Sequence, residues 1–134
     1  MPVTLELITS PSDQDLIDLE KIYADYPTEL RWVQLQQQLL QTPPMQLHGA
    51  RFNNRLLAAI TTQEQNGIIK LDHLCVRQVT RGRHVARDLL RLLLAQTGQK
   101  PCSMALCMEQ AAAEKLLHQA GFENDGQHFL RPGK

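Results

Sequence analysis

The pair Asn53-Asn54 constrains this chain more than any other two residues. It separates two strand-like runs, Leu47 to Phe52 and Arg55 to Thr62. Consecutive asparagines tolerate the left-handed backbone that a two-residue turn requires, so the runs fold back as an antiparallel hairpin. Asn66-Gly67 marks a second turn, which sets Ile68 to Arg77 antiparallel to the strand before it. After Arg77 the period changes. Val85 to Gln96 places Arg87, Asp88 and Arg91 on one side and leucines on the rest, a helix that Gly98 ends. Cys102 to Met108 is a mainly apolar strand, and a strand–helix–strand connection of this length implies parallel pairing.

The N-terminal part supplies one more strand and two helices. Val3 to Thr9 alternates apolar and polar residues. Ser12-Asp13-Gln14-Asp15 has the spacing of a capping box, with Ser12 as N-cap and Asp15 reaching back to its amide. Leu16, Leu19, Tyr23 and Tyr26 then form an apolar stripe, and Asp13, Asp15, Asp18 and Glu20 cluster at the positive end of the dipole. Pro27 ends this helix, and Thr28 is the expected cap of a second, with Trp32, Leu35 and Leu39 buried and Pro43-Pro44 closing it. Glu109 to Gln119 reads as a last helix, stopped at Ala120-Gly121-Phe122, and His128 to Leu130 as a final short strand. The order is β-α-α-β-β-β-α-β-α-β. This predicts one domain over 1–134 of the α/β (α+β mixed) class, a mixed sheet with helices on both faces.

Charge narrows the function. Fourteen basic and fourteen acidic residues leave a net charge of zero, which argues against a nucleic acid or an anionic membrane as partner. The distribution is uneven: residues 1–30 carry seven acids and one base, giving −6, and residues 70–91 carry six bases and two acids, giving +4. The longest aliphatic stretch, Leu89 to Ala95, is broken by Arg91 and too short to span a bilayer. Met-Pro-Val-Thr at the start lacks an export signal, and three cysteines without a Cys-x-x-Cys pair suit a reducing compartment, so a cytoplasmic location is expected. His48, His73, His84, His118 and His128 are scattered, and no metal site is expected.

The basic segment holds the chemistry. Thr80-Arg81-Gly82-Arg83-His84-Val85-Ala86 lies between a strand and a helix N-terminus, where first-turn amides lack helical partners and favour phosphate. Arg81, Arg83 and Arg87 add guanidinium groups suited to phosphate oxygens. The residues leave two readings open, a phosphate cradle or a solvated basic loop ahead of an ordinary crossover helix. Neither a Walker loop nor a dinucleotide fingerprint is present.

Together with the element order and Ala120-Gly121-Phe122, this segment resembles the GNAT (acyl-CoA N-acyltransferase) superfamily. Its Arg/Gln-x-x-Gly-x-Gly/Ala motif binds the pyrophosphate of coenzyme A, and Arg81-Gly82-Arg83-His84-Val85-Ala86 stands in its place. A more specific likeness rests on separated blocks: Ser12 to Asp15, Ile17-Asp18-Leu19, Ala50-Arg51-Phe52-Asn53, Arg55 to Ala59, Val76-Arg77 and Val79-Thr80-Arg81. These resemble the PanZ (also PanM) family, small GNAT-like maturation factors of aspartate 1-decarboxylase, PanD.

The resemblance implies binding of CoA or acetyl-CoA and, in that state, of the PanD zymogen, whose self-cleavage to the pyruvoyl form it promotes. It implies that Leu74, Cys75 and Val76 take the pantetheine arm, mainly through backbone groups, as an extended ligand adds to a strand. Thr80, Arg81, Gly82, Arg83, His84, Val85, Ala86 and Arg87 would surround the pyrophosphate, and Arg51, Asn53, Arg77 and Arg81 would face PanD. For these residues, ordinary core strand, hairpin-turn chemistry and solvated arginines remain the alternative readings. Outside such a complex the chain is expected to be a monomer.

This sequence departs from the pattern in two places. His84 stands where the motif has its central glycine, and residues 28–45 are longer than the family pattern. A catalytic N-acetyltransferase acting on a small amine or protein lysine is the alternative function. An acetyltransferase of this fold usually carries a tyrosine four residues before the Gly-Phe signal, to protonate the leaving thiolate; here that position is Leu117. Asp72 or His73 could serve as a base, with a plain strand role as the competing reading, and no catalytic residue is assigned.

Overall fold

A computed structural model describes residues 3–24, 31–41, 45–65, 67–77, 85–97, 102–104, 123–124 and 129–131. The first strand, β1, is Thr4–Ile8, and helix α1 follows at Asp13–Tyr23. The expected capping box forms: Ser12 Oγ accepts from the Asp15 amide at 3.1 Å, and Asp15 Oδ2 accepts from the Ser12 amide at 3.2 Å.

Helix α2, Trp32–Gln41, starts later than a Thr28 cap requires. Arg31 is the residue at its mouth: the Leu35 amide donates to Arg31 O at 3.1 Å, and Gln34 Oε1 accepts from the Arg31 amide at 2.6 Å. The side chain at the third helical position does the capping, half of a capping box without the Ser or Thr. Thr28 itself lies outside the described residues.

Strands β2 (Gln46–Phe52) and β3 (Arg55–Gln65) pair antiparallel around Asn53 and Asn54, whose φ values of 48° and 64° are those the turn demands. Gly67, at φ 79°, leads into β4, Ile68–Val76, antiparallel to β3. Helix α3, Val85–Thr97, crosses back to β5, Cys102–Met104, which pairs parallel to β4. Strand β7, Phe129–Arg131, matches the final short strand expected at His128 to Leu130, and with β6, Glu123–Asn124, it completes a sheet of seven strands among the described residues, in the order β1-β2-β3-β4-β5-β7-β6. A two-residue strand carries no periodic signal, which explains why β6 escaped notice. The expected helix at 109–119 lies outside the described residues.

Helices cover both faces, as expected. Leu89, Leu90, Leu93 and Val85 of α3 pack on Ala58, Ile60, Leu71, Leu74 and Val76. On the other face Leu19, Ile22, Tyr23, Trp32 and Leu35 of α1 and α2 pack on Leu47, Leu56, Ala59 and Cys75. Gly49 keeps this second layer tight, because a Cβ there would lie 2.8 Å from Ile8 Cδ1 and 2.9 Å from Leu56 Cδ2. No described helix is long and apolar enough to cross a membrane.

Candidate functional site

Strand β4 does not run straight. Ala59 pairs with Cys75 and Thr61 with Asp72, so three steps on β4 oppose two on β3. The extra residue is a β-bulge at His73, whose φ of 56° lies in the left-handed region. Insertion of one residue reverses the side-chain parity. Ile69 and Leu71 face α3, and beyond the bulge Leu74 and Val76 face α3 again, while Cys75 turns to α1.

Side chains from several elements hold this bulge. The Tyr23 hydroxyl donates to His73 O at 2.7 Å, and Asp72 Oδ1 accepts from the His73 amide at 2.7 Å. The Thr61 hydroxyl donates its one proton to Asp72 O at 3.0 Å and faces His73 Nδ1 at 2.8 Å, an arrangement that puts the imidazole hydrogen on Nδ1. Burial pushes the His73 imidazole below its ordinary pKa, against the attraction of Asp72. Cys75 Sγ donates to Ile22 O at 3.0 Å, a further tie between β4 and α1.

The candidate pantetheine residues thus sit just past the bulge. Leu74, Cys75 and Val76 all bury their side chains, so what this stretch offers a ligand is backbone. Its described pairing with β5 runs from Ile69 to Leu71, against Cys102 to Met104, and ends before Leu74. Of the candidate pyrophosphate residues, Val85 is buried as the first residue of α3, Ala86 is half-buried and Arg87 is exposed beside Asp88, 3.5 Å away. First-turn amides of any helix lack a partner within it, which makes Val85 to Arg87 suitable donors to an anion. Thr80, Arg81, Gly82, Arg83 and His84 lie outside the described residues, as does Leu117.

The candidate partner-facing residues gather where the β2–β3 turn, the start of α1 and the end of β4 meet. Arg51 is gripped by Glu6 through Nε and Nη2 and by Asp15 at 3.0 and 3.1 Å, which raises its pKa further. Asp18, with a fully buried side chain, accepts from Arg55 Nη2 at 2.6 Å, from the Leu56 amide at 3.2 Å and from Gln14 Nε2 at 3.2 Å. Arg77 Nη1 stands 4.0 Å from the same carboxylate, and the Arg77 amide donates to Leu57 O at 2.7 Å. Arg51 and Arg77 are thereby brought to one end of the sheet, with Asn53 in the turn beside them. Arg81 lies outside the described residues.

Asp15 and Asp18 are both held below the ordinary carboxylate range. For Asp15 the Arg51 hydrogen bonds outweigh burial, and Ser12 adds to them. For Asp18 burial opposes ionisation, but Arg55, the Leu56 amide and Gln14 together prevail. In the sequence these acids read as complements of the helix dipole, and nothing local marks Asp15, Asp18, Arg55, Thr61 and Tyr23 as parts of the site. The partners that join these side chains across the fold lie 11 to 50 residues away, so no local pattern could reveal them. Among the described residues no three His, Cys, Asp or Glu side chains converge to hold a metal ion.

The acetyltransferase (GNAT) domain family PanZ matches residues 2–127. A PanD regulatory factor from Escherichia coli (strain K12) is 36% identical over 103 residues, 76% of this chain and 74% of that protein. The solution structure of E. coli YhhK bound to coenzyme A superposes with a TM-score of 0.75 at 31% identity, covering 99% of this chain and 100% of that one. The ribosomal-protein-S18-alanine N-acetyltransferase from E. coli is similar in fold, with a TM-score of 0.71 at 17% identity over 96% of this chain and 90% of its own. A family match over nearly the whole length and 36% identity across 76% of the chain agree, and the chain belongs to the PanZ family of GNAT acetyltransferase domains.

Proposed function

We propose that this protein binds coenzyme A or acetyl-CoA, engages the PanD zymogen in that state and promotes its self-cleavage, so that the end product regulates its own synthesis. The observation that carries this reading is the 36% identity to a PanD regulatory factor. The CoA-bound state of a solved relative at 31% identity supports the ligand. In this reading the backbone of Leu74 to Val76 takes the pantetheine arm as an added strand. The α3 first turn, with Arg81, Arg83 and Arg87, takes the pyrophosphate. Arg51, Asn53, Arg77 and Arg81 face PanD.

The test is cleavage of purified PanD zymogen by this protein with and without acetyl-CoA. Faster cleavage and co-elution of the pair only with ligand are expected. Unchanged cleavage with no ligand-dependent co-elution overturns the proposal. Amine-dependent thiol release from acetyl-CoA would instead establish an N-acetyltransferase.

A further inference from the structure

The geometry points to Tyr23 as a positioning residue for the ligand: its hydroxyl, by holding the His73 carbonyl, fixes the bulge that aligns Leu74 to Val76 for coenzyme A. The inference rests on the reading that this strand takes the pantetheine arm.

A residue with a Cβ at φ 56° is strained, and such a conformation persists only where the surroundings over-determine it. Asp72 and Thr61 restrain His73 from within the sheet, while Tyr23 reaches it from α1, 50 residues away. The Tyr23 ring is fully buried and stacked on Trp32, with centroids 6.4 Å apart and planes 17° from parallel. That packing leaves the hydroxyl little freedom to leave the carbonyl.

Position makes this tie relevant to a ligand. The same residues run as a regular strand, with His73 in the ladder, would reverse the parity of everything after it, turning Leu74 and Val76 toward α1 and Cys75 toward α3. The amide and carbonyl groups of this stretch would exchange directions with them. An arm that binds as an added strand reads those groups and no others, because the three side chains are buried. Tyr23 therefore controls which backbone groups the arm meets without touching it.

Tyr23→Phe keeps the ring and removes only the hydroxyl. Calorimetry with acetyl-CoA is expected to show binding about tenfold weaker than wild type, with an unchanged circular dichroism spectrum. His73→Gly added to that variant should restore affinity to within about twofold, since glycine adopts this φ without strain and no longer needs the tie. Leu35→Ala weakens the same core, yet leaves the hydroxyl in place and should not alter affinity. Wild-type affinity in Tyr23→Phe, failure of His73→Gly to rescue, or equal loss in Leu35→Ala overturns the inference. A wild-type protein that binds no acetyl-CoA overturns the functional reading as well, so the two failures are distinguishable. Should Tyr23→Phe not fold, the same calorimetry on the double variant decides, with wild-type-like binding supporting the inference and weak binding overturning it.

Discussion

The Asp18 carboxylate accepts from Arg55 through Nε and Nη2, the shorter bond being 2.6 Å, and in doing so joins the first helix to the start of the third strand. The arginine is 39% exposed and its partner fully buried, so the two ends of the pair are unequal. Water can take the place of the carboxylate at Arg55, but nothing so accessible replaces it at the buried Leu56 amide. Asp18→Ala is therefore expected to destabilise the fold by about 2–3 kcal/mol, mostly through that stranded donor. Arg55→Gln should cost at least as much, because it leaves the fully buried Asp18 carboxylate without its charged partner. Urea unfolding of the two variants checks the order.

Stability should fall in acid in two stages. Burial holds the His48 and His73 imidazoles below their ordinary pKa, so the neutral forms favour the fold. That contribution is whole above the unfolded value of about 6.5 and declines as pH drops below it toward the native values. Asp15 and Asp18 contribute fully above about pH 4 and are lost as pH falls through their lowered native values. His48 Nε2 lies 3.1 Å from Thr62 Oγ1, and its Nδ1 is buried without a hydrogen bond. A proton added there has no acceptor. His48→Gln should flatten part of the decline between pH 7 and 5 and leave the lower stage intact, as unfolding free energies measured across pH will show.

Asn53 offers a way to separate turn from partner. Its φ of 48° suits glycine at least as well as asparagine, so Asn53→Gly keeps the turn and removes the amide. A melting temperature within about 2 °C of wild type is expected, with weaker ligand-dependent co-elution with PanD. Unaltered co-elution would remove Asn53 from the partner-facing set.

His84 places an imidazole where the phosphate motif has glycine. If binding requires a left-handed backbone or close approach to phosphate at this position, a side chain there costs on the order of 1 kcal/mol, and His84→Gly is then expected to tighten acetyl-CoA binding about fivefold. Calorimetry on the two proteins measures it, and weaker binding would show that the ring itself contacts the ligand.

Much of the architecture was legible because it is local. Asn53-Asn54, the Ser12–Asp15 box and the leucines of α3 each act within a few residues, where steric and hydrogen-bond preferences are strong. The switch from hairpins to a crossover then left parallel pairing of β4 and β5 as the short-linked solution. Thr28, a threonine after a proline, looks like a helix start, but α2 begins at Trp32, where Gln34 at the third position caps the Arg31 amide without a Ser or Thr at the mouth to signal it.

The site was legible only in outline. Sequence by itself determined the order of strands and helices, the family, and the stretches where ligand and partner are sought. Tertiary structure alone decided that His73 bulges, that Tyr23 holds it across 50 residues, and that Asp15 and Asp18 turn inward to Arg51, Arg55 and Arg77. The physical reason is range. Caps and turns are paid for by neighbours in the chain, whereas a strained carbonyl or a buried carboxylate is satisfied by whichever donor the packed layers bring within 3 Å.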